Sequence, residues 1–241
     1  MIWPWHICFS AWLSLLLVLP SLAATVGGSV TLVDSRDLNV RRRGDYSGAV
    51  VWLDPLNGGV PAPRVQTVQM IQKKKTFTPH VLAIPVGTMV EFPNFDPIFH
   101  NAFSNFSGQP FDVGLYAPGT SQKVRFRREG VVRVFCNIHP TMSAVIVVLP
   151  TPYAAVTRRD GAFSIEGVPP GDYRLRVYHE RSTEQTLNAL ERKLTVGGAG
   201  VALPPIPISE SGYVQVAHKN KHGKDYPPVI EDQAMYPGKR P

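Results

Sequence analysis

Cysteine is almost absent from this chain. Its 241 residues hold two, Cys8 and Cys136, too few for the disulfide frameworks that staple small secreted domains. Charge is missing from one end: the first 24 residues carry no Lys, Arg, Asp or Glu. Long apolar runs are missing from the rest. The longest later one, residues 144–149, has the length of a strand and is far too short to cross a bilayer. Histidine is sparse, seven in all with no His-x-His pair, which argues against sites built from many imidazoles. No basic recognition motif of a nucleic-acid reader occurs.

The uncharged opening is itself a signal. An apolar run over residues 11–19 is followed by Pro20, Ser21, Leu22, Ala23 and Ala24. This reads as a secretory signal peptide spanning residues 1–24, cleaved after Ala23 or Ala24, although its amino-terminal part has only His6 and no Lys or Arg. The alternative is a membrane anchor, but the stretch is short for a span and ends in small residues. Cleavage removes Cys8, so Cys136 is the single cysteine of an exported, periplasmic or otherwise secreted, mature chain. Alone in an oxidising compartment, that thiol must be protected or used.

What is abundant points to strands. Hydrophobic residues make up 44% of the chain, enough for a substantial core, and 23 prolines and 20 glycines punctuate Val-rich runs. Strands are expected over 28–33, 49–53, 81–86, 89–92, 123–127, 131–136 and 143–149, and beyond them over 162–165, 173–178 and 194–196. Residues 57–59 read as a turn, and 183–192 are ambiguous between a helical turn and a loop. In residues 131–136, Val132, Val134 and Cys136 share one face and Arg133 lies on the other, so Cys136 points inward at a strand end. Residues 143–149 are apolar on both faces, so a second layer must cover their outer side. The net charge of +7 gathers at Arg41 to Arg43, Lys73 to Lys75 and Arg125, Arg127 and Arg128. It fits either an acidic partner or solvated loops and strand faces, the plainer reading.

Chemistry concentrates in Cys136-Asn137-Ile138-His139-Pro140-Thr141-Met142. A thiolate, an imidazole and a thioether sit at relative positions 0, +3 and +6 in a loop between two expected strands. Softness and number favour copper cycling between Cu(I) and Cu(II) over zinc, for which methionine is a poor ligand. His100, 36 residues upstream, is the candidate second imidazole. A cysteine nucleophile needs a base beside it, usually with a helix N-terminus to lower its pKa, and a strand-terminal Cys136 next to Met142 argues against that. His80 and His179 read as surface or structural. His218 and His222 fall among lysines in a tail that reads as flexible or surface-wrapping from about residue 211, where a solvated role is the plainer reading and weak adventitious metal binding the alternative.

With His100-Asn101 and the Cys136, His139, Met142 spacing, the chain over residues 65–149 resembles the plastocyanin- and amicyanin-like cupredoxins. The approach Gly87-Thr88 … Glu91-Phe92-Pro93-Asn94 is similar too. The resemblance implies a Greek-key β-sandwich with one copper at one end. His100, Cys136, His139 and Met142 would be its ligands, with Asn101 bracing the ligand loops from the second coordination sphere. It also implies that His139 reaches the surface and passes the electron. Arg159-Asp160-Gly161-Ala162-Phe163 and Val168-Pro169-Pro170-Gly171-Asp172-Tyr173 resemble transthyretin-like, carboxypeptidase regulatory-like β-sandwich modules. That segment is short for a complete sandwich, and residues 25–60 are candidates to complete it.

The expected organisation is therefore all-β: leader 1–24, amino-terminal β segment 25–64, cupredoxin domain 65–150, smaller regulatory-like β module 151–210 and polar tail 211–241. The expected role is a one-electron carrier, not an enzyme, with a redox partner protein in the cell envelope. Neither nucleic acid nor, after cleavage, a membrane span is expected. The alternative is a copper-handling or partner-binding envelope module without an electron-carrier role.

Overall fold

The computed structural model describes residues 23–57, 59, 66–106, 108–215 and 217–226. The leader with Cys8, part of the 57–59 turn and the tail beyond 226 lie outside the described residues. The chain is nearly all β. It opens with β1 (Ala24–Val33), the short helix α1 (Leu38–Arg43) and β2 (Val50–Pro55). The middle holds β3 (Thr67–Gln69), β4 (Ile71–Lys73), β5 (Thr76–Thr78), β6 (Val81–Pro85) and β7 (Met89–Pro93). It continues through β8 (His100–Ser104), β9 (Phe111–Tyr116), β10 (Ser121–Arg125), β11 (Gly130–Phe135) and β12 (Ser143–Leu149). The chain then adds β13 (Ala154–Val156), β14 (Ala162–Val168), β15 (Gly171–Tyr178), α2 (Glu184–Ala189), β16 (Arg192–Val196), β17 (Val201–Ala202) and β18 (Ile206–Ser209). Among the described residues no helix is long and apolar enough to cross a membrane.

The two ends of the chain build one sandwich together. β1 runs antiparallel to β14, with Val26 opposite Ile165, and parallel to β17 and β18. The facing sheet has the order β13-β2-β15-β16, with Leu53 opposite Leu175. Their inner faces fill a core of Val26, Val30, Val51, Leu53, Phe163, Ile165, Leu175, Val177, Ile206 and Ile208. β1 and β2 alone are too few to bury an apolar face, and each instead pairs with strands of the later segment, β1 with β14 and β2 with β13 and β15.

The middle of the chain forms a second β-sandwich, which carries the site. Its sheets have the orders β6-β12-β11-β8-β9 and β10-β7-β3, with the hairpin β4-β5 beside them. Val90, Phe92, Phe126, Val132, Val134, Ile146 and Val148 fill the space between, together with Cys136 and Met142. Arg133 is exposed between buried Val132 and Val134, as alternation requires.

β12 explains its own two apolar faces. Ala144, Ile146 and Val148 belong to the core just described. Val145, Val147 and Leu149 pack instead against Val50 and Trp52 of β2 and Val81 of β6. The second layer that the sequence demanded is the other sandwich. His80 Nε2 meets Glu180 at 2.8 Å across the same junction.

Two basic clusters have local explanations. Arg41 to Arg43 fill the last turn of α1, where cations suit the helix dipole, and Gly44 closes it in the left-handed conformation. This helix lies between the strands expected over 28–33 and 49–53. Lys74 and Lys75, both at φ 55°, form the β4–β5 turn.

Candidate metal centre

Cys136 lies one residue past the end of β11, where the alternation of that strand has already turned it inward, and it is fully buried. The chain then folds back on itself. The Met142 N–H donates to the His139 carbonyl (3.0 Å), and the Cys136 N–H donates to the Met142 carbonyl (3.2 Å). These bonds close residues 136–142 into a loop before β12 begins. His100 opens β8, which pairs with β11 through Phe103 and Phe135. Sheet register therefore carries His100 to the loop across 36 residues of sequence.

The ligand atoms converge. His139 Nδ1 lies 3.7 Å and His100 Nδ1 3.9 Å from the Cys136 sulfur. The three donor atoms all lie within 4.8 Å of one another. A first-row metal about 2.0 Å from each nitrogen and about 2.3 Å from sulfur, at trigonal angles, leaves roughly 3.7 Å along each N···S edge. The arrangement fits one ion in a His₂Cys plane. Met142 is fully buried in the same apolar cluster as Cys136. Two imidazoles and a thiolate beside a thioether make a donor set suited to type 1 copper.

The surrounding residues hold these groups in place. The second ring nitrogen of His100, Nε2, lies 2.8 Å from Asp96 Oδ2. With Nδ1 turned to the sulfur, Nε2–H donates to the carboxylate. Asp96 also accepts the Lys74 and Lys75 backbone N–H groups, at 2.5 and 2.8 Å. Burial alone would raise the Asp96 carboxyl. The Lys75 amide, the His100 ring and the Lys74 amide outweigh it and hold the group below the ordinary carboxylate range. Asn94 orders the turn before His100, accepting from the Asp96 N–H (3.0 Å) and donating to the Ile98 carbonyl (2.8 Å). Asn101, nearly buried, accepts the Asn137 N–H (3.2 Å) and donates to Asp112 (2.7 Å) and the Gly114 carbonyl (3.0 Å). It thus ties the ligand loop to β9.

The structure brings His100, Cys136 and His139 together, with Met142 buried beside Cys136 and Asn101 at the loop. Two expectations need correction. His139 retains only 9% of its surface while His100, Cys136 and Met142 retain none, so His139 is nearly buried, though it alone of the four keeps any surface. Of the two forms read for the tail, the surface-wrapping one fits residues 217–226, and His218 is not solvated there, because its Nε2–H donates to the Pro140 carbonyl (2.7 Å). His179 is 2% exposed and belongs to the interior. Burial, followed by the Arg181 charge, pushes its pKa down to about 4. Sequence reasoning missed Asp96. Its only signal is a carboxylate four residues before His100 in a Pro-containing turn.

No protein-family model and no curated protein matches the chain. Solved structures match over part of it. A purple cupredoxin from Nitrosopumilus maritimus is 26% identical over 35% of this chain and 99% of its own, with a TM-score of 0.31. A copper-containing nitrite reductase from Thermus scotoductus is 33% identical over 40% of this chain and 25% of its own, with a TM-score of 0.32. An oxidised amicyanin variant is 20% identical over 34% of this chain and 82% of its own, with a TM-score of 0.33. The chain thus spans about a quarter of that reductase.

Proposed function

We propose that this protein is an exported copper-binding, cupredoxin-like one-electron carrier acting in the periplasm or an equivalent compartment. The observation that carries the reading is the buried His100, Cys136 and His139 group, whose nitrogen–sulfur separations suit a trigonal site. Bound there, copper would supply reversible one-electron chemistry between Cu(I) and Cu(II). The protein's part is to keep the donors still. Asp96 holds the far side of the His100 ring, Asn101 holds the loop backbone, and burial keeps water from the thiolate. Donors that need not move between oxidation states suit electron transfer better than bond-making chemistry, which supports a carrier over an enzyme.

An apolar edge supports protein docking near this end. Phe95, Phe99 and Leu115 are exposed at 58, 37 and 60%. Phe99 adjoins His100, and Leu115 pairs with Asn101 between β8 and β9. Ile138 and Pro140 are half-buried in the ligand loop. An acidic redox partner suits the net charge of +7. The second reading, a copper-handling or partner-binding module without an electron-carrier role, is favoured by the extra sandwich built from the two chain ends.

Optical and EPR titration with Cu(II) tests the reading. An intense thiolate-to-copper band with one copper per chain is expected, and it should disappear in Cys136→Ala and His139→Ala. A band that survives in either variant removes the assignment. A carrier retains Cu(I) against a competing chelator, whereas a donor yields it.

A further inference from the structure

The ligand loop is gripped from outside by a distant part of the chain. Three backbone or side-chain acceptors of the loop are taken by residues 217–226. The Tyr226 hydroxyl donates to the Cys136 carbonyl at 2.8 Å. The Lys221 N–H donates to Asn137 Oδ1 at 3.0 Å. His218 Nε2–H donates to the Pro140 carbonyl at 2.7 Å. Between these points the His218 ring stacks on Phe135, with centroids 4.0 Å apart and planes 20° from parallel. Tyr226 stands edge-on to the same imidazole at 5.2 Å, its hydroxyl 3.2 Å from Nδ1. Lys221 Nζ reaches Asp112 at 2.7 Å, and Asp112 accepts from Asn101, which holds the Asn137 N–H. One segment therefore grips the loop at residues 136, 137 and 140, and is itself anchored to the brace beneath it.

From this geometry we infer that residues 217–226 form a strap in which Tyr226, His218 and Lys221 position the ligand loop, fixing the Cys136 thiolate and slowing exchange of the copper. The inference rests on the copper reading for its metal arm, but the strap's grip on Cys136 exists without metal. The loop's own closing bonds are two, both backbone. The strap adds three more from outside, and a loop held on both sides has fewer ways to open. The composition of the segment fits the task. Lys219, His222 and Lys224 are exposed, while the His218 ring lies flat against Phe135 and Tyr226 meets that ring edge-on, each with little rotamer entropy to lose.

The test uses full-length chain with Tyr226→Phe, which removes one hydroxyl and leaves the ring, and His218→Ala, which removes the stack and the Pro140 bond. Two readouts are taken. In the copper-free protein, the rate at which a thiol reagent labels Cys136 reports loop opening. In the copper-loaded protein, Cu(I) loss to a chelator and the position of the thiolate-to-copper band report the ligand geometry. Each variant should label and lose copper roughly five- to tenfold faster, the size of one net hydrogen bond. The band should move and the double variant should exceed either single one, while the copper-free chain should lose no more than about 1 kcal/mol of global stability per hydrogen bond removed. Wild-type labelling rates in the double variant would overturn the strap. If wild-type protein binds no copper, the functional reading fails, and the labelling rates still decide the strap.

Discussion

Asp96 shows how much a single side chain can set at this centre. It is nearly buried, fixed by two backbone N–H groups of the Lys74–Lys75 turn, and hydrogen-bonded to the non-ligating nitrogen of His100. A carboxylate there makes the imidazole a stronger donor and places negative charge beside the site. Both effects favour Cu(II) over Cu(I). Asp96→Asn keeps the shape and removes the charge. The potential should rise, by about 59 mV for each tenfold change in the Cu(II)-to-Cu(I) affinity ratio. Redox titration measures it, and an unchanged or lowered potential would show that Asp96 only shapes the turn. The lysine pair beside it looks from composition like a basic patch. Its role in the fold is to offer two amides from left-handed backbone.

At the scale of elements, the junction between β1 and the turn before β14 has no slack. Gly161 sits at φ +77°, and a Cβ on it would lie 2.1 Å from the Val30 carbonyl oxygen. The Gly161 carbonyl meanwhile accepts the Val30 N–H at 2.9 Å. Gly161→Ala therefore meets both a disfavoured backbone and a clash, and should destabilise the protein by roughly 2 kcal/mol or more. Denaturant unfolding checks this. Because β1 belongs to the sandwich remote from Cys136, the visible band of folded protein should be unaltered. β12 is the contrasting case, an element buried on both faces. Ile146→Ala removes a side chain from the core that holds Cys136 and Met142. It should cost about 2–5 kcal/mol and loosen the centre as well.

The whole molecule has a titratable junction between its sandwiches. Buried His179 faces Arg181, Glu210, Glu180 and Asp37, and its pKa is pushed down to about 4 by burial and the Arg181 charge. The unfolded chain, with an ordinary value near 6.5, binds the proton first. Stability should therefore fall as pH drops from about 6.5 towards 4, by roughly 3 kcal/mol at most. His80 has the opposite sign. Its hydrogen bond to Glu180 outweighs burial and raises its pKa, so its contribution is present below about 6.5 and fades as pH rises through the raised value. A stability maximum near weakly acidic pH is expected by thermal unfolding across a pH series. His179→Gln should flatten the acid side, and an unchanged acid limb would place the sensitivity elsewhere.

Much of this protein was legible because the relevant physics is local. Alternation in residues 131–136 fixes which way Cys136 points whatever the rest of the chain does. The spacing from Cys136 to Met142 fits one tight loop, and the double-faced run 143–149 demands two layers. The residue types at His100, Cys136 and His139 suit copper whatever the fold, since ligand softness is a property of the side chain. What only the tertiary structure decided are contacts over long sequence separations. These include the Asp96 carboxylate turned onto His100, the parallel register of β1 against β17 and β18, and the return of residues 217–226 to the ligand loop. None has a periodicity or a motif. Each depends on which surfaces meet once the strands have paired.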